Sequence, residues 1–173
     1  MNKSTMAGAL ALAFSAAAFA DESLVRFDSG FGVHPVANTG VVNTVRGVPP
    51  GGRPWHIDKL KVRIKQDGSG SITARGEGLV LAGGDSAGTR GPILQVVATL
   101  FCDAAQFTSP PADLSLGGDF EIRGPLTPTP PTPCNNPALL IRNFAVPAGS
   151  PAGTAPAPGA WFAGGTIADE GTD

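Results

Sequence analysis

Residues 57–66 read Ile-Asp-Lys-Leu-Lys-Val-Arg-Ile-Lys-Gln, and this strict alternation constrains the fold more than any other stretch of the chain. Successive side chains of a strand point to opposite faces, so Leu60, Val62 and Ile64 share one face while Lys59, Lys61, Arg63 and Lys65 share the other. A helix would scatter both sets around its axis. The segment therefore predicts a strand with one side in the core and a cationic side in water.

The residues that follow fix its partner. Asp67-Gly68-Ser69-Gly70 carries turn chemistry, and residues 71–82 return as a second strand. A two-residue loop at Gly68-Ser69 would set Lys65 opposite Ile72, placing a charge and a core side chain on one face. A loop of three or five residues centred on Gly68 sets Ile64 opposite Ile72, Val62 opposite Ala74 and Lys59 opposite Glu77. That register is the expectation, with Gly68 or Gly70 at positive φ. Gly76 and Gly78 suggest a bulge before Leu79-Val80-Leu81.

Further strands are expected at 93–102, apolar on both sides, at 119–123, where Phe120 and Ile122 alternate with charges, and at 138–144 and 161–167. Weaker candidates are 24–27, 40–45 and the pair Leu114 and Leu116. No helix-length stretch with 3.6-residue periodicity follows residue 20. The expected fold is all-β: an antiparallel two-sheet β-sandwich, immunoglobulin-like in broad architecture, with seven to nine strands.

Composition supports a folded body with long connections. The chain has 173 residues with 24 Gly and 17 Pro, yet 42% are hydrophobic. Twelve of those prolines fall between Pro110 and Pro158. They define a stiff connector at 125–137 and a second, Gly- and Ala-containing connector at 147–158. The stiff connector could also be a ligand for proline-binding partners, but it lacks the flanking basic residues that orient such peptides.

Residues 1–20 carry one cation, Lys3, then an apolar run ending Ala18-Phe19-Ala20 before Asp21 and Glu22. This predicts a secretory signal peptide cleaved after Ala20 and a single domain over 21–173. No later apolar stretch approaches the roughly 20 residues of a membrane span, so none is expected in the mature chain. Export favours cysteine pairing, and Cys102 and Cys134 are expected to form one disulfide, stabilising by about 3 to 4 kcal/mol in the chain-entropy picture. The formal net charge of −2 lacks the basic excess of a nucleic-acid binder, so no nucleic-acid partner is expected.

Four patterns invite a chemical reading. Gly84-Asp85-Ser86-Ala87-Gly88 resembles the active-serine motif of hormone-sensitive-lipase-type esterases, and also the Gly-Asp-Ser-Gly-Gly of trypsin-like proteases. The resemblance covers five residues and implies a hydrolase with Ser86 as nucleophile. Yet Thr89-Arg90-Gly91-Pro92 breaks the helix that an elbow needs, and His34 and His56 both precede the serine. A Gly-rich turn is the plainer expectation. His56 and Asp58, on one strand face, could form a corner of a metal site with His34 and Asp28, but zinc and copper sites use three or four ligands, so neither metal nor cofactor is expected. Trp55 and Trp161 would stack sugars if exposed and pack the core if not.

The fourth pattern is the row Lys59, Lys61, Arg63 and Lys65, about 20 Å long from the strand rise. Solvation is its ordinary role, and on an edge strand the lysines would also discourage pairing between molecules. Its functional role would be to meet an anionic partner. The leading expectation is a secreted or periplasmic, non-catalytic binding or structural module whose partner is a protein or polysaccharide of the cell envelope or exterior. The alternative is a small secreted hydrolase using Ser86 or a carboxylate pair.

Overall fold

The computed structural model describes residues 23–35 and 43–168. The signal segment and the first half of the weak candidate strand at 40–45 lie outside these residues. Within them the chain is all-β, and no helix is long and apolar enough to cross a membrane. The strands are β1 (Ser23–Gly32), β2 (Trp55–His56), β3 (Lys59–Lys65), β4 (Ser71–Glu77), β5 (Val80–Leu81), β6 (Gln95–Cys102), β7 (Ala105–Thr108), β8 (Ala112–Asp113), β9 (Phe120–Pro125), β10 (Ala138–Ala145) and β11 (Ala157–Ile167).

Nine of them form one antiparallel sheet in the order β7-β6-β10-β11-β1-β3-β4-β9, with β8 also on β6, while β2 pairs only with β5. β1 pairs with β11 on one side and β3 on the other, so both halves of the molecule belong to a single ladder. The sheet curls until its ends meet. Thr108 at the end of β7 and Thr127 just past β9 exchange two backbone hydrogen bonds of 2.9 Å.

The β3–β4 hairpin adopts the register that the alternation demands. Ile64 faces Ile72, Val62 faces Ala74 and Lys59 faces Glu77 across a loop of residues 66–70. Both Gly68 and Gly70 take positive φ there. Leu60, Val62, Ile64, Ile72 and Ala74 are buried, whereas all four cations of β3 are exposed. Each large apolar side chain so buried contributes about 1.5 to 3 kcal/mol.

The expected bulge at Gly76 is absent. β4 keeps its pairing with both neighbours through Gly76, and the break falls at Gly78, whose φ is positive. The reason for Gly76 is space: a Cβ there would sit 2.2 Å from the Phe120 ring on β9. Two strands are new to the structure. β7 follows a two-residue turn at Asp103-Ala104, with Asp103 at positive φ, and β8 is a two-residue pairing with the start of β6.

Cys102 and Cys134 form the disulfide, with Cα atoms 5.0 Å apart. Asp103 N–H donates to Asn135 O at 2.8 Å and Asn136 Nδ2 donates to Asp103 Oδ1 at 2.6 Å. The connector's end is thus clipped to the β6–β7 turn by sulfur and by hydrogen bonds together. Its start is seated by Leu126 and Pro130, both buried. The second connector is shorter than expected, because Ala157 and Pro158 already pair with Ala145 and Phe144. Proline at the first positions of a strand costs the ladder little.

Candidate functional site

The outer side of β1, β3, β4 and β9 gathers most of the chain's positive charge. β3 contributes Lys59, Lys61, Arg63 and Lys65, and the neighbouring strands add Arg26 from β1, Arg75 from β4 and Arg123 from β9, all exposed. These seven stand against a total of 12 Lys and Arg in a chain that is net acidic. Charge is therefore segregated onto one face.

Registration explains how residues so far apart in sequence converge. Arg26 lies opposite Arg63, Arg63 opposite Thr73, and Thr73 opposite Arg123, making one row across four strands. The next row sets Lys61 opposite Arg75 and Arg75 opposite Glu121. Directly opposed like charges destabilise a sheet, yet this face contains two such pairs, Arg26 with Arg63 and Lys61 with Arg75. Between the rows lies an open trough of about 450 Å³ whose lining includes Arg26, Lys61, Arg63, Thr73, Arg75 and Arg123.

Among the described residues, three carboxylates temper the field. Asp28 lies 3.6 Å from Arg26, Glu77 accepts from Lys59 Nζ at 2.7 Å, and Glu121 accepts from Arg75 Nε at 2.8 Å and from Arg123. The Arg75 hydrogen bond, then that of Arg123, holds the Glu121 carboxyl below its ordinary range. The hydrogen bond to Glu77 raises the Lys59 ammonium above its usual value. All these groups are exposed, so water and salt screen the pairs.

The edge-guarding role for the β3 lysines does not apply, because β3 lies inside the sheet between β1 and β4. What sequence reading missed is the breadth of the face. Arg26, Arg75 and Arg123 each alternate with buried neighbours in their strands, and that signal becomes meaningful only once the strands are registered.

The other candidates resolve into separate places. Ser86 lies in the turn after β5, where its carbonyl accepts from Thr89 N–H and Thr89 Oγ1. His56 Nε2–H donates instead to Asp58 Oδ1 at 2.8 Å, and among the described residues the Ser86 hydroxyl has no hydrogen-bond partner. No group of three or more His, Cys, Asp or Glu gathers to hold a metal among the described residues. Both tryptophans are buried. Trp55 stacks on Phe162 with centroids 4.2 Å apart, and Trp161 meets Phe31 edge-on. Arg142, a cation outside this face, is structural: its guanidinium donates to Gly159 O and Pro158 O at 2.8 and 2.9 Å, and burial lowers its pKa.

No protein-family model matches the chain, and no curated protein or solved structure does so either.

Proposed function

We propose that this protein is an exported, non-catalytic binding module whose cationic sheet face engages an acidic polysaccharide of the cell envelope or exterior. The observation that carries the reading is the cross-strand convergence of Arg26, Arg63, Arg75, Arg123 and Lys61 around one open trough. Opposed like charges lower sheet stability, and a polyanion laid across them reverses that cost. The outward residues of β3 and β4 are all polar. A protein partner would want an apolar or aromatic anchor at its centre, and this face offers none there. A linear acidic glycan needs only spaced cations and a flat bed.

Export is part of the proposal. It rests on the signal-like residues 1–20 and accords with the disulfide, since such bonds persist in oxidising compartments. In the same reading, the half containing β3, β4 and β9 and the half containing β6 and β10 stack as the layers of a sandwich around one core.

The test is retention on immobilised dextran sulfate, with unsulfated dextran as the control. The native chain is expected to bind the sulfated matrix and elute with rising salt, since screening weakens exposed charge contacts. Lys61→Glu with Arg63→Glu is expected to weaken binding at least about tenfold, equivalent to about 1.4 kcal/mol. Equal retention of native and doubly reversed chains, both shown to be folded by circular dichroism, would sink the proposal.

A further inference from the structure

The connector from Pro125 to Cys134 contains three threonines among its prolines: Thr127, Thr129 and Thr132. All three are exposed. Several other surface hydroxyls are engaged by neighbouring groups. Ser69 Oγ donates to Asp67, Ser115 Oγ engages Asp119, Thr89 Oγ1 donates to Ser86 O, and Thr154 Oγ1 donates to Pro151 O. Those four hydroxyls are consumed by their own turns. The three connector hydroxyls make no hydrogen bond among the described residues.

The chemistry of the segment accounts for this freedom. Proline has no N–H, so few neighbouring groups compete for a threonine hydroxyl. Thr129 lies between Pro128 and Pro130, and Thr132 between Pro131 and Pro133. Thr127 is placed differently, because its backbone N–H and C=O are both committed to the bridge with Thr108. An enzyme that must grasp an extended acceptor finds the backbone of Thr127 occupied.

The segment is also held from beneath. Leu126 N–H donates to Gly70 O at 3.0 Å, Leu126 and Pro130 are buried, and Pro130 lies so close to Gly70 that a Cβ there would come within 2.6 Å of its ring. The disulfide fixes the far end at Cys134. The connector therefore has an inner side seated on the fold and an outer side presenting exposed hydroxyls. With that inner side already used, it is poorly suited to dock as a proline ligand in another domain's groove.

We infer that Thr129 and Thr132 are acceptor sites for O-linked glycosylation. Exposed Thr and Pro in alternation is the composition of O-glycosylated segments in exported proteins, and here the fold holds it accessible. The donor is an activated sugar carried as a glycosyl phosphate ester. The threonine Oγ bonds to the sugar C1, the C1–O bond to phosphate breaks, the phosphate leaves with the electron pair, and the hydroxyl proton passes to a base of the transferase. The step is redox-neutral and needs no other reactant.

The inference rests on export, so the test reads export separately. The full chain is purified from the cells that make it, reduced, digested with trypsin and sequenced by electron-transfer fragmentation. Arg123 and Arg142 bound the informative peptide, residues 124–142. The expected result is hexose-sized mass increments localised to Thr129 and Thr132. They should be lost in Thr129→Val with Thr132→Val and restored in Thr129→Ser with Thr132→Ser. A peptide found only at its unmodified mass overturns the inference, as does modification that survives the valine substitutions. An N-terminus other than Asp21 overturns the expected cleavage by itself, whatever the state of the peptide.

Discussion

The two halves of the sheet meet water in opposite ways. On β3 and β4 buried and exposed residues alternate, and the exposed side carries charge. On β6 every residue from Val96 to Cys102 is buried, and Leu139 to Arg142 of β10 are buried beside it. One half is a platform whose outer side contributes little to folding. The other is core on both sides, and the disulfide anchors there. The difference teaches that the proposed binding and the stability of the fold rest on different residues, so each is expected to be altered with little effect on the other.

The sharpest way to break this comparison is to truncate a side chain in the doubly buried half. Leu100→Ala is expected to lower unfolding free energy by about 3 to 5 kcal/mol in urea denaturation, because a fully buried leucine leaves a cavity. Lys61→Ala on the platform is expected to change it by no more than about 0.5 kcal/mol. Similar losses for the two would mean that the platform is not separable from the core.

Next in size is the sulfur bridge. Cys102→Ser with Cys134→Ser is expected to cost about 3 to 4 kcal/mol, since the loop it closes spans 32 residues. Dextran sulfate affinity, measured where the variant is still folded, should be unchanged, because the bridge lies in the other half.

A smaller effect probes the seam between β4 and β9. Gly76→Ala forces a methyl against the Phe120 ring, which is expected to cost about 1 to 3 kcal/mol. Phe120→Leu in the same chain should recover part of that loss, and a double-mutant cycle measures the coupling. Additive losses would show that the ring and the glycine do not share the space.

The smallest effect is on pH. The Arg75 and Arg123 guanidinium groups hold Glu121 below the ordinary carboxylate range. Its contribution to stability is thus present above that range and fades as pH falls through the depressed value. Binding should move the other way. Protonating Glu121 releases Arg75 and Arg123, so affinity for dextran sulfate, which stays ionised, is expected to rise as pH falls through that value. Glu121→Gln should strengthen binding at neutral pH and flatten part of the pH dependence, read by calorimetric titration at several pH values.

How much was legible in the sequence follows from the range over which each signal acts. The β3–β4 register was readable because alternation and turn length are local, and Ile64 and Lys65 cannot exchange faces without exposing one and burying the other. The cysteine pair was readable because only one pairing exists. β7 was not, since Ala105-Gln106-Phe107-Thr108 is too short and mixed to show a period. Nor was the position of β3 inside the sheet, which depends on β1 pairing with it across more than 30 residues of chain. The cationic row on β3 was visible, but the face was not. Arg26, Arg75 and Arg123 join it only through registration between strands.

The most direct measurement is an amide chemical-shift titration of the native chain with a short dextran sulfate oligomer at low and high salt. The account predicts saturable shifts concentrated on β1, β3, β4 and β9 around Arg26, Arg63, Thr73 and Arg123, small changes on β6 and β10, and loss of the effect at high salt. Shifts centred instead on the turn holding Ser86 or on the β6–β10 half, or no saturable shift at low salt, would contradict it.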